Sequence, residues 1–276
     1  MKVRVAVIQI DSQPDKEANL RKAGQLVRDA ATDGARLVCL PEYFNYIGPP
    51  EEERGAAETI PGPTTDILAS LAREKGIWLH GGSILEKTSG REKMFNTTVV
   101  FNPKGEIVAQ YRKIHLFDVE VKDGPSMMES STKDYGDRIV LCDTDLGRVG
   151  LTICYDMRFP ELYRILTLRG AKIIVVPAEY TLYTGRDHWE PVLRTRAIEN
   201  QVFILAPAQL GVKPLFQSYG RSLVIDPWGT VIAKASDLET VVVADLDMTY
   251  LERVRDQIPC LKNRKPSVYV WPSETG

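Results

Sequence analysis

Short apolar stretches of strand length alternate with amphipathic helices along this chain, and this alternation constrains the fold more than any other feature. Alternating β and α elements favour sheets that are covered by layers of helices. The pattern runs twice, and a hairpin closes each half, at residues 95–113 and 221–234. Two sheets packed face to face, with helices outside, would accommodate both hairpins. The sequence therefore predicts an α/β fold.

The 276 residues contain no linker, low-complexity tract or charge block. We predict one domain over residues 1–258 and an extended C-terminal arm over residues 259–276, whose aromatic residues would suit packing on a partner subunit. A formal net charge of −2 without a basic block gives no electrostatic support for binding nucleic acid or an anionic membrane.

The sequence has no features of a signal peptide, and no apolar run reaches the roughly 18 residues of a membrane-spanning helix. The four cysteines are widely spaced and form no C-x-x-C pair, which is typical of a reducing compartment. A cytoplasmic location is therefore expected.

Cys154 lies where an apolar strand breaks into a helix. Val149, Leu151 and Ile153 precede it, and Pro160 is suited to the first turn of the helix that follows. A helix start and a nearby lysine would favour the reactive thiolate. A cysteine after an apolar strand is more often a buried apolar residue. Whether Cys154 is catalytic must therefore be judged from other residues of the chain.

Three ionisable residues follow the ends of apolar strands, namely Glu42, Lys113 and Cys154. Because the carboxyl ends of strands line the ligand crevice in α/β sheets, these side chains could converge. The carboxylate could act as the general base for the thiol. The thiolate could then attack a carbonyl carbon, with the Lys113 ammonium and the Tyr155 N–H holding the oxyanion.

The competing assignment is a Cys–His–Asp site. His80 lies inside a predicted strand, His115 follows Lys113 closely, and His188 lies on a helix predicted over residues 186–200. No papain-type cysteine signature is present. The pattern of residues therefore favours the glutamate, lysine and cysteine set.

Several motifs in the correct order resemble the nitrilase superfamily of carbon–nitrogen hydrolases, over residues 3 to about 265. They are residues 40–42 (LPE), 111–117 (YRKIHLF), 153–161 (ICYDMRFPE), 188–190 (HWE), 196–201 (RAIENQ) and 226–229 (DPWG). The resemblance implies a four-layer α-β-β-α sandwich, usually dimerised through a helix layer. It also implies a Glu–Lys–Cys triad at Glu42, Lys113 and Cys154, and it requires no metal or cofactor.

A second glutamate of the superfamily matches Glu129, which would orient Lys113 or the substrate. The motifs at 111–118 and 154–159 are most similar to the omega-amidase (Nit2-like) branch. In that branch Arg158 would pair with a substrate carboxylate, which suits a planar two-point donor. The alternative for Arg158 is a structural ion pair with Asp156 or Glu161.

The resemblance further implies that Tyr155, Tyr180 and Thr184 contact the substrate. The chain departs from the branch at Tyr43, where cysteine is frequent, and at residues 180–183, which are bulkier than usual. The exact substrate is therefore open.

The activity that the resemblance implies is hydrolysis of small carboxylated amides, such as alpha-ketoglutaramate, with release of ammonia through a Cys154 thioester. The alternatives are deaminated glutathione, N-carbamoyl amino acids, aliphatic amides and nitriles. A scaffold without enzymatic activity is a third hypothesis, although it would not need a base, a cation and a thiol.

Overall fold

Strands and helices alternate along the chain as predicted. The computed structural model describes residues 2–122, 124 and 126–269. The strands are β1 (Lys2–Gln9), β2 (Leu37–Cys39), β3 (Trp78–His80), β4 (Ile84–Glu86), β5 (Phe95–Phe101), β6 (Ile107–Arg112), β7 (Asp118–Glu120), β8 (Ser126–Met128), β9 (Leu141–Thr144), β10 (Gly147–Leu151), β11 (Ile173–Val175), β12 (Phe203–Ala206), β13 (Leu210–Val212), β14 (Gln217–Tyr219), β15 (Leu223–Ile225), β16 (Val231–Lys234) and β17 (Thr240–Asp247).

The α-helices are α1 (Lys16–Thr32), α2 (Glu53–Ala56), α3 (Pro63–Lys75), α4 (Pro160–Leu168), α5 (Leu182–Asn200), α6 (Met248–Gln257) and α7 (Cys260–Asn263). Short 3-10 turns lie at Pro50–Glu52, Glu129–Ser131, Cys154–Arg158 and Pro266–Val268. Within the described ranges, none of these helices combines the length and the apolar character that a bilayer span requires.

Most strands belong to two sheets. The first has the order β17-β1-β2-β3-β5-β4, with β6 paired to β5, and the second has the order β16-β15-β12-β11-β10-β9. Strands β1, β2 and β3 are parallel in the first sheet, and β10, β11 and β12 are parallel in the second. Each sheet therefore presents an edge of carboxyl strand ends, where a ligand crevice can form.

Alternate side chains of β1 enter two different apolar layers, because successive side chains of a strand point to opposite faces. Val5 and Val7 pack with residues of the second sheet in the core between the sheets. Ala6 and Ile8 pack instead with the buried faces of α1 and α3. Helices α4 and α5 cover the outer face of the second sheet. The result is the predicted order of layers: helices, sheet, sheet, helices.

Helix α5 begins at Leu182, which is earlier than the residue 186 start predicted from the sequence. The Thr181 hydroxyl caps the helix by accepting a hydrogen bond from the Thr184 N–H at 3.4 Å, and such caps satisfy the free N–H groups of a first turn. This earlier start puts Thr184 on the first turn, beside the cavity described below.

The region predicted as an extended arm follows α6. Its described part contains α7 and the 3-10 turn at Pro266–Val268, so helical turns interrupt the chain there, and its side chains are largely exposed. Residues 270–276, which include Trp271 and Pro272 of the predicted arm, lie outside the described residues.

Candidate active site

Three strand-end side chains meet in one cavity. Glu42 follows β2, Lys113 follows β6, and Cys154 opens the 3-10 turn after β10. Lys113 Nζ lies 3.1 Å from Glu42 Oε1. Cys154 lines the same cavity, which has a volume of about 260 Å³. A carboxylate, an ammonium and a thiol from distant parts of the chain therefore share one cavity.

Lys113 lies between two carboxylates. In addition to its contact with Glu42, its Nζ donates to Glu129 Oε2 at 2.8 Å, and the lysine itself is buried. Burial alone would lower the pKa of Lys113, but the charges of Glu129 and Glu42 outweigh it and hold the pKa well above the ordinary value. Lys113 is therefore a permanent cation in the cavity.

Glu129 is fixed by hydrogen-bond donors from different segments, among them residues 113–117 and Tyr43. Its Oε2 also accepts from the Phe117 N–H at 2.7 Å, and its Oε1 accepts from the Tyr43 hydroxyl at 2.9 Å. Burial raises the pKa of Glu129, but Lys113 and Lys133 more than reverse this and lower it to about 2. The structure thus brings Glu129 into direct contact with Lys113, where the sequence predicts an orienting residue.

The Glu42 carboxylate is buried and held at both oxygens. Oε1 accepts from Asn96 Nδ2 at 2.8 Å as well as from Lys113, and Oε2 accepts from the Glu179 N–H at 2.7 Å. The Gln209 side chain donates to the Glu42 carbonyl at 3.0 Å. These contacts leave the carboxylate little freedom to turn away from the cavity.

Cys154 has a backbone φ of 46°, a left-handed conformation that few non-glycine residues adopt. Its N–H donates to the Pro177 carbonyl at 2.9 Å. Its Sγ lies 3.8 Å from the Glu179 carbonyl. Such strain persists only where surrounding contacts impose it, and it is frequent at active sites. Here the strained turn presents the thiol to the cavity.

Lys113 favours the Cys154 thiolate as expected, but burial and Glu42 outweigh it. Burial raises the pKa of the Cys154 thiol well above its ordinary value, and Glu42 raises it further, whereas Lys113 lowers it by less. The segment after Cys154 is also a short 3-10 turn rather than an α-helix, so it offers little dipole. The thiol is protonated at neutral pH and needs a base.

A buried aspartate joins the segments that carry Lys113 and Cys154. Asp156 accepts hydrogen bonds from the Tyr111 hydroxyl at 2.7 Å and from the Ile153 N–H at 2.8 Å. His115 adds its backbone N–H at 3.1 Å and its Nδ1 at 2.7 Å. One carboxylate therefore holds the residues that flank both Lys113 and the nucleophile turn.

None of the three histidines lines the cavity. His80 is fully buried in β3, and burial lowers its pKa to about 3. His115 binds Asp156 and stacks on Phe159, with ring centres 3.6 Å apart. The Cys–His–Asp alternative therefore gains no geometric support. No group of three or more His, Cys, Asp or Glu side chains in the described part of the chain is arranged to hold a metal ion.

The predicted substrate-binding residues differ in their placement. Tyr155, Tyr180 and Thr184 line the cavity, whereas Arg158 does not. The Arg158 guanidinium lies 5.5 Å from the Tyr180 ring centre and 5.9 Å from the Tyr155 ring centre. Its Nη2 lies 3.2 Å from His188 Nδ1.

Arg158 forms no ion pair within the described residues. The alternative of a structural pair with Asp156 or Glu161 is therefore not realised. The guanidinium lies against the aromatic wall with its charge unmatched by a carboxylate.

Sequence reasoning missed several residues of the site, namely Tyr43, Glu53, Asn96, Lys133, Glu179 and Lys213. All of these except Asn96 line the cavity, and Asn96 supports Glu42 from within β5. Glu179 follows the apolar strand β11, so the strand-end rule that selected Glu42 would also have selected it. Tyr43 directly follows the motif at residues 40–42, but its contact with Glu129 was not predicted. The remaining residues carry no local signal, since they reach the site from segments without a motif.

The carbon–nitrogen hydrolase family model matches residues 4–256. The chain is 43% identical to an omega-amidase of Xenopus laevis over 270 residues, which is 97% of each chain. It is 42% identical to the deaminated glutathione amidase of Bos taurus over 271 residues, covering 96% of this chain and 83% of that protein.

Among solved structures, the NitFhit protein of C. elegans matches with a TM-score of 0.92 and 37% identity, over 98% of this chain and 66% of that chain. Nit3 of Saccharomyces cerevisiae, a member of the nitrilase superfamily, matches with a TM-score of 0.87 and 33% identity, over 96% of this chain and 97% of that chain. The predicted four-layer sandwich is thereby confirmed.

Proposed function

This chain belongs to the carbon–nitrogen hydrolase family, and we propose from that premise that it hydrolyses small carboxylated amides and releases ammonia through a thioester on Cys154. The family and the named amidases among its relatives confirm the predicted enzyme class, a hydrolase of carbon–nitrogen bonds other than peptide bonds. The substrate, the catalytic roles and the assembly are the proposed parts.

In the first half of the reaction Glu42 takes the proton of the Cys154 thiol, whose raised pKa makes a base necessary. The thiolate attacks the amide carbon and forms a tetrahedral intermediate. The Lys113 ammonium and the Tyr155 N–H hold its oxyanion. Glu42 returns the proton to the amide nitrogen, the carbon–nitrogen bond breaks, and ammonia leaves a thioester on Cys154.

In the second half Glu42 removes a proton from a water molecule, which attacks the thioester carbon. The second tetrahedral intermediate expels the Cys154 sulfur, which regains a proton, and the acid product leaves. Glu129 keeps Lys113 directed at the oxyanion throughout, since it contacts the lysine at 2.8 Å and is itself anchored to Phe117 and Tyr43.

The observation that carries this proposal is the contact of Lys113 with both Glu42 and Glu129 in the cavity that Cys154 lines. A buried lysine between two carboxylates costs desolvation energy that a fold without a reaction would not need. A non-catalytic scaffold offers no reason for it.

Arg158 supports the choice of a carboxylated amide. Its guanidinium has no carboxylate partner among the described residues and lies beside the rings of Tyr155 and Tyr180, which line the cavity. A substrate carboxylate would supply the missing partner, although it requires the guanidinium to turn towards the cavity.

The relatives leave a second candidate substrate, deaminated glutathione, because the bovine amidase of that name is as similar as the omega-amidases. A panel of five compounds separates the candidates by their products. Alpha-ketoglutaramate, an aliphatic amide and a nitrile would release ammonia, and an N-carbamoyl amino acid would release ammonia together with carbon dioxide. Deaminated glutathione would release cysteinylglycine in place of ammonia, because its scissile amide nitrogen belongs to the cysteine residue.

The test of the mechanism is Cys154→Ala, which we expect to abolish ammonia release while the protein stays folded. Cys260→Ala is the matched control, because Cys260 is an exposed thiol, and it should keep full activity. Brief incubation with substrate should add the acyl mass to Cys154 in the wild type and not in Cys154→Ala. Full turnover by Cys154→Ala would refute the assignment.

The proposal extends to a cytoplasmic homodimer. The four cysteines are free, as expected in a reducing compartment. Leu168 of α4 and Ile198 of α5 are about half exposed on the outer helix layer, and Trp228 lies beside that layer. Light scattering after gel filtration tests the dimer, and a monomer at micromolar concentration would contradict it.

A further inference from the structure

One carboxyl group in the cavity has no counter-ion in the described part of the chain, and the proposed mechanism gives its side chain no role. The other glutamates that line the cavity are each paired with a lysine: Glu42 and Glu129 with Lys113, and Glu53 with Lys133. Glu179 lines the same cavity but forms no salt bridge within the described residues. Its Oε1 is inaccessible to solvent and has no hydrogen-bond partner there.

The two lysines whose charges lower the pKa of Glu179 already have other partners, and Lys113 is paired with Glu42 and Glu129. Lys213 Nζ donates to Asp11 Oδ1 at 2.6 Å and to the Ser12 carbonyl at 2.8 Å. Its charge lowers the pKa of Glu179, but the two groups are not in contact. Lys213 therefore does not neutralise Glu179.

The backbone of Glu179 is fixed beside the reacting groups. Its N–H donates to Glu42 Oε2 at 2.7 Å, and its carbonyl lies 3.8 Å from Cys154 Sγ. The Glu179 side chain therefore begins within a few ångströms of the thiol. A substrate whose amide carbon is bonded to Cys154 would therefore lie close to the Glu179 side chain.

A carboxyl oxygen that is buried without a partner destabilises a fold, so it calls for an explanation outside folding. Burial first, and then the charge of Glu42, raise the pKa of Glu179 to about 8. A cation placed against its oxygens would remove this penalty. The structure contains no such cation among its described side chains, and the ligand can supply one.

We propose that Glu179 binds an ammonium group of the substrate and so selects amides that carry an amino group, such as the ω-amides of α-amino acids. This inference rests on the proposed function, which it narrows from carboxylated amides to those that are also amines. A charge-assisted hydrogen bond of this kind corresponds to roughly tenfold to a hundredfold in affinity. Glu179 is a specificity residue in this scheme.

The test uses four amides that differ only in their charged groups. Glutamine and glutaramate both carry a carboxylate, but only glutamine has an ammonium. 4-Aminobutyramide and butyramide form the same comparison without a carboxylate. For each pair we define a ratio, kcat/KM of the amide with an amine divided by kcat/KM of the amide without one. In the wild type we expect both ratios to be at least ten. Glu179→Gln should reduce both ratios to about one, chiefly by raising KM for the amines.

Glu53→Gln is the matched control, because Glu53 lines the same cavity but already has Lys133 as its partner. It should leave both ratios unchanged. Wild-type ratios near or below one would overturn the role of Glu179 and leave the amidase proposal standing. Absence of turnover with these amides and with the whole panel would refute the amidase proposal instead. The role of Glu179 would then be judged by calorimetry: a wild-type preference for glutamine over glutaramate that Glu179→Gln abolishes would support it, and equal binding would overturn it.

Discussion

Glu129→Gln isolates the charge that holds Lys113. The side chains have the same shape, so the main change is the loss of a buried carboxylate that accepts from Lys113, Phe117 and Tyr43. The pKa of Glu129 in the folded protein is about 2, against an ordinary value of 4.5. That difference corresponds to about 3 kcal/mol of unfolding free energy at pH 7.

The pH dependence follows from the direction of the pKa change. Folding lowers the pKa of Glu129, so the native state favours the ionised form. The stabilisation is complete above the unfolded pKa of 4.5 and is lost as pH falls towards the folded pKa of about 2. A glutamine side chain at this position does not titrate. The difference in unfolding free energy between the wild type and Glu129→Gln should therefore shrink by about 1 kcal/mol between pH 7 and pH 3.5.

Urea unfolding followed by tryptophan fluorescence measures this difference at pH 7, 5 and 3.5. Glu120→Gln is the control, because Glu120 is exposed on the neighbouring strand β7, and it should change the unfolding free energy by less than about 0.5 kcal/mol. If the unfolding free energies of wild type and Glu129→Gln differ by the same amount at every pH, the lowered pKa of Glu129 is refuted. A difference below about 1 kcal/mol at pH 7 would refute it too, since removing a carboxylate in strong contact with Lys113 must cost more.

Two further predictions concern the network around the nucleophile. Asp156→Asn should lower the unfolding free energy by about 2 kcal/mol, because a buried acceptor shared by Tyr111, Ile153 and His115 gains a misplaced N–H donor. It should also lower kcat more than it raises KM in the ammonia assay, and an unchanged kcat would contradict the link to Lys113 and Cys154. Arg158→Ala should raise KM for glutaramate about tenfold, the value of a lost charge-assisted contact, and leave KM for butyramide unchanged. An equal rise for both amides would show that Arg158 only supports the aromatic wall.

The sequence was sufficient to predict the order of the helix and sheet layers and the three residues that converge in the cavity. Apolar strands followed by helices predict buried sheets with helix cover, and the strand-end rule selects Glu42, Lys113 and Cys154 by local pattern alone. The same rule would have selected Glu179 after β11. Family motifs added Glu129, which no local pattern distinguishes from an ordinary loop glutamate.

Tertiary structure decided the chemical state of those residues. The Cys154 thiol is protonated because burial and Glu42 outweigh Lys113. The nine-residue motif around the cysteine predicts neither the burial of the thiol nor its proximity to Glu42. Tyr43 reaches Glu129 across 86 positions of sequence, and Glu179 reaches Glu42 across 137. Arg158, which the family resemblance assigns to a substrate carboxylate, does not line the cavity. A local pattern can specify which strand a side chain follows, but electrostatic energies depend on distance and dielectric surroundings, and only the packed fold sets those.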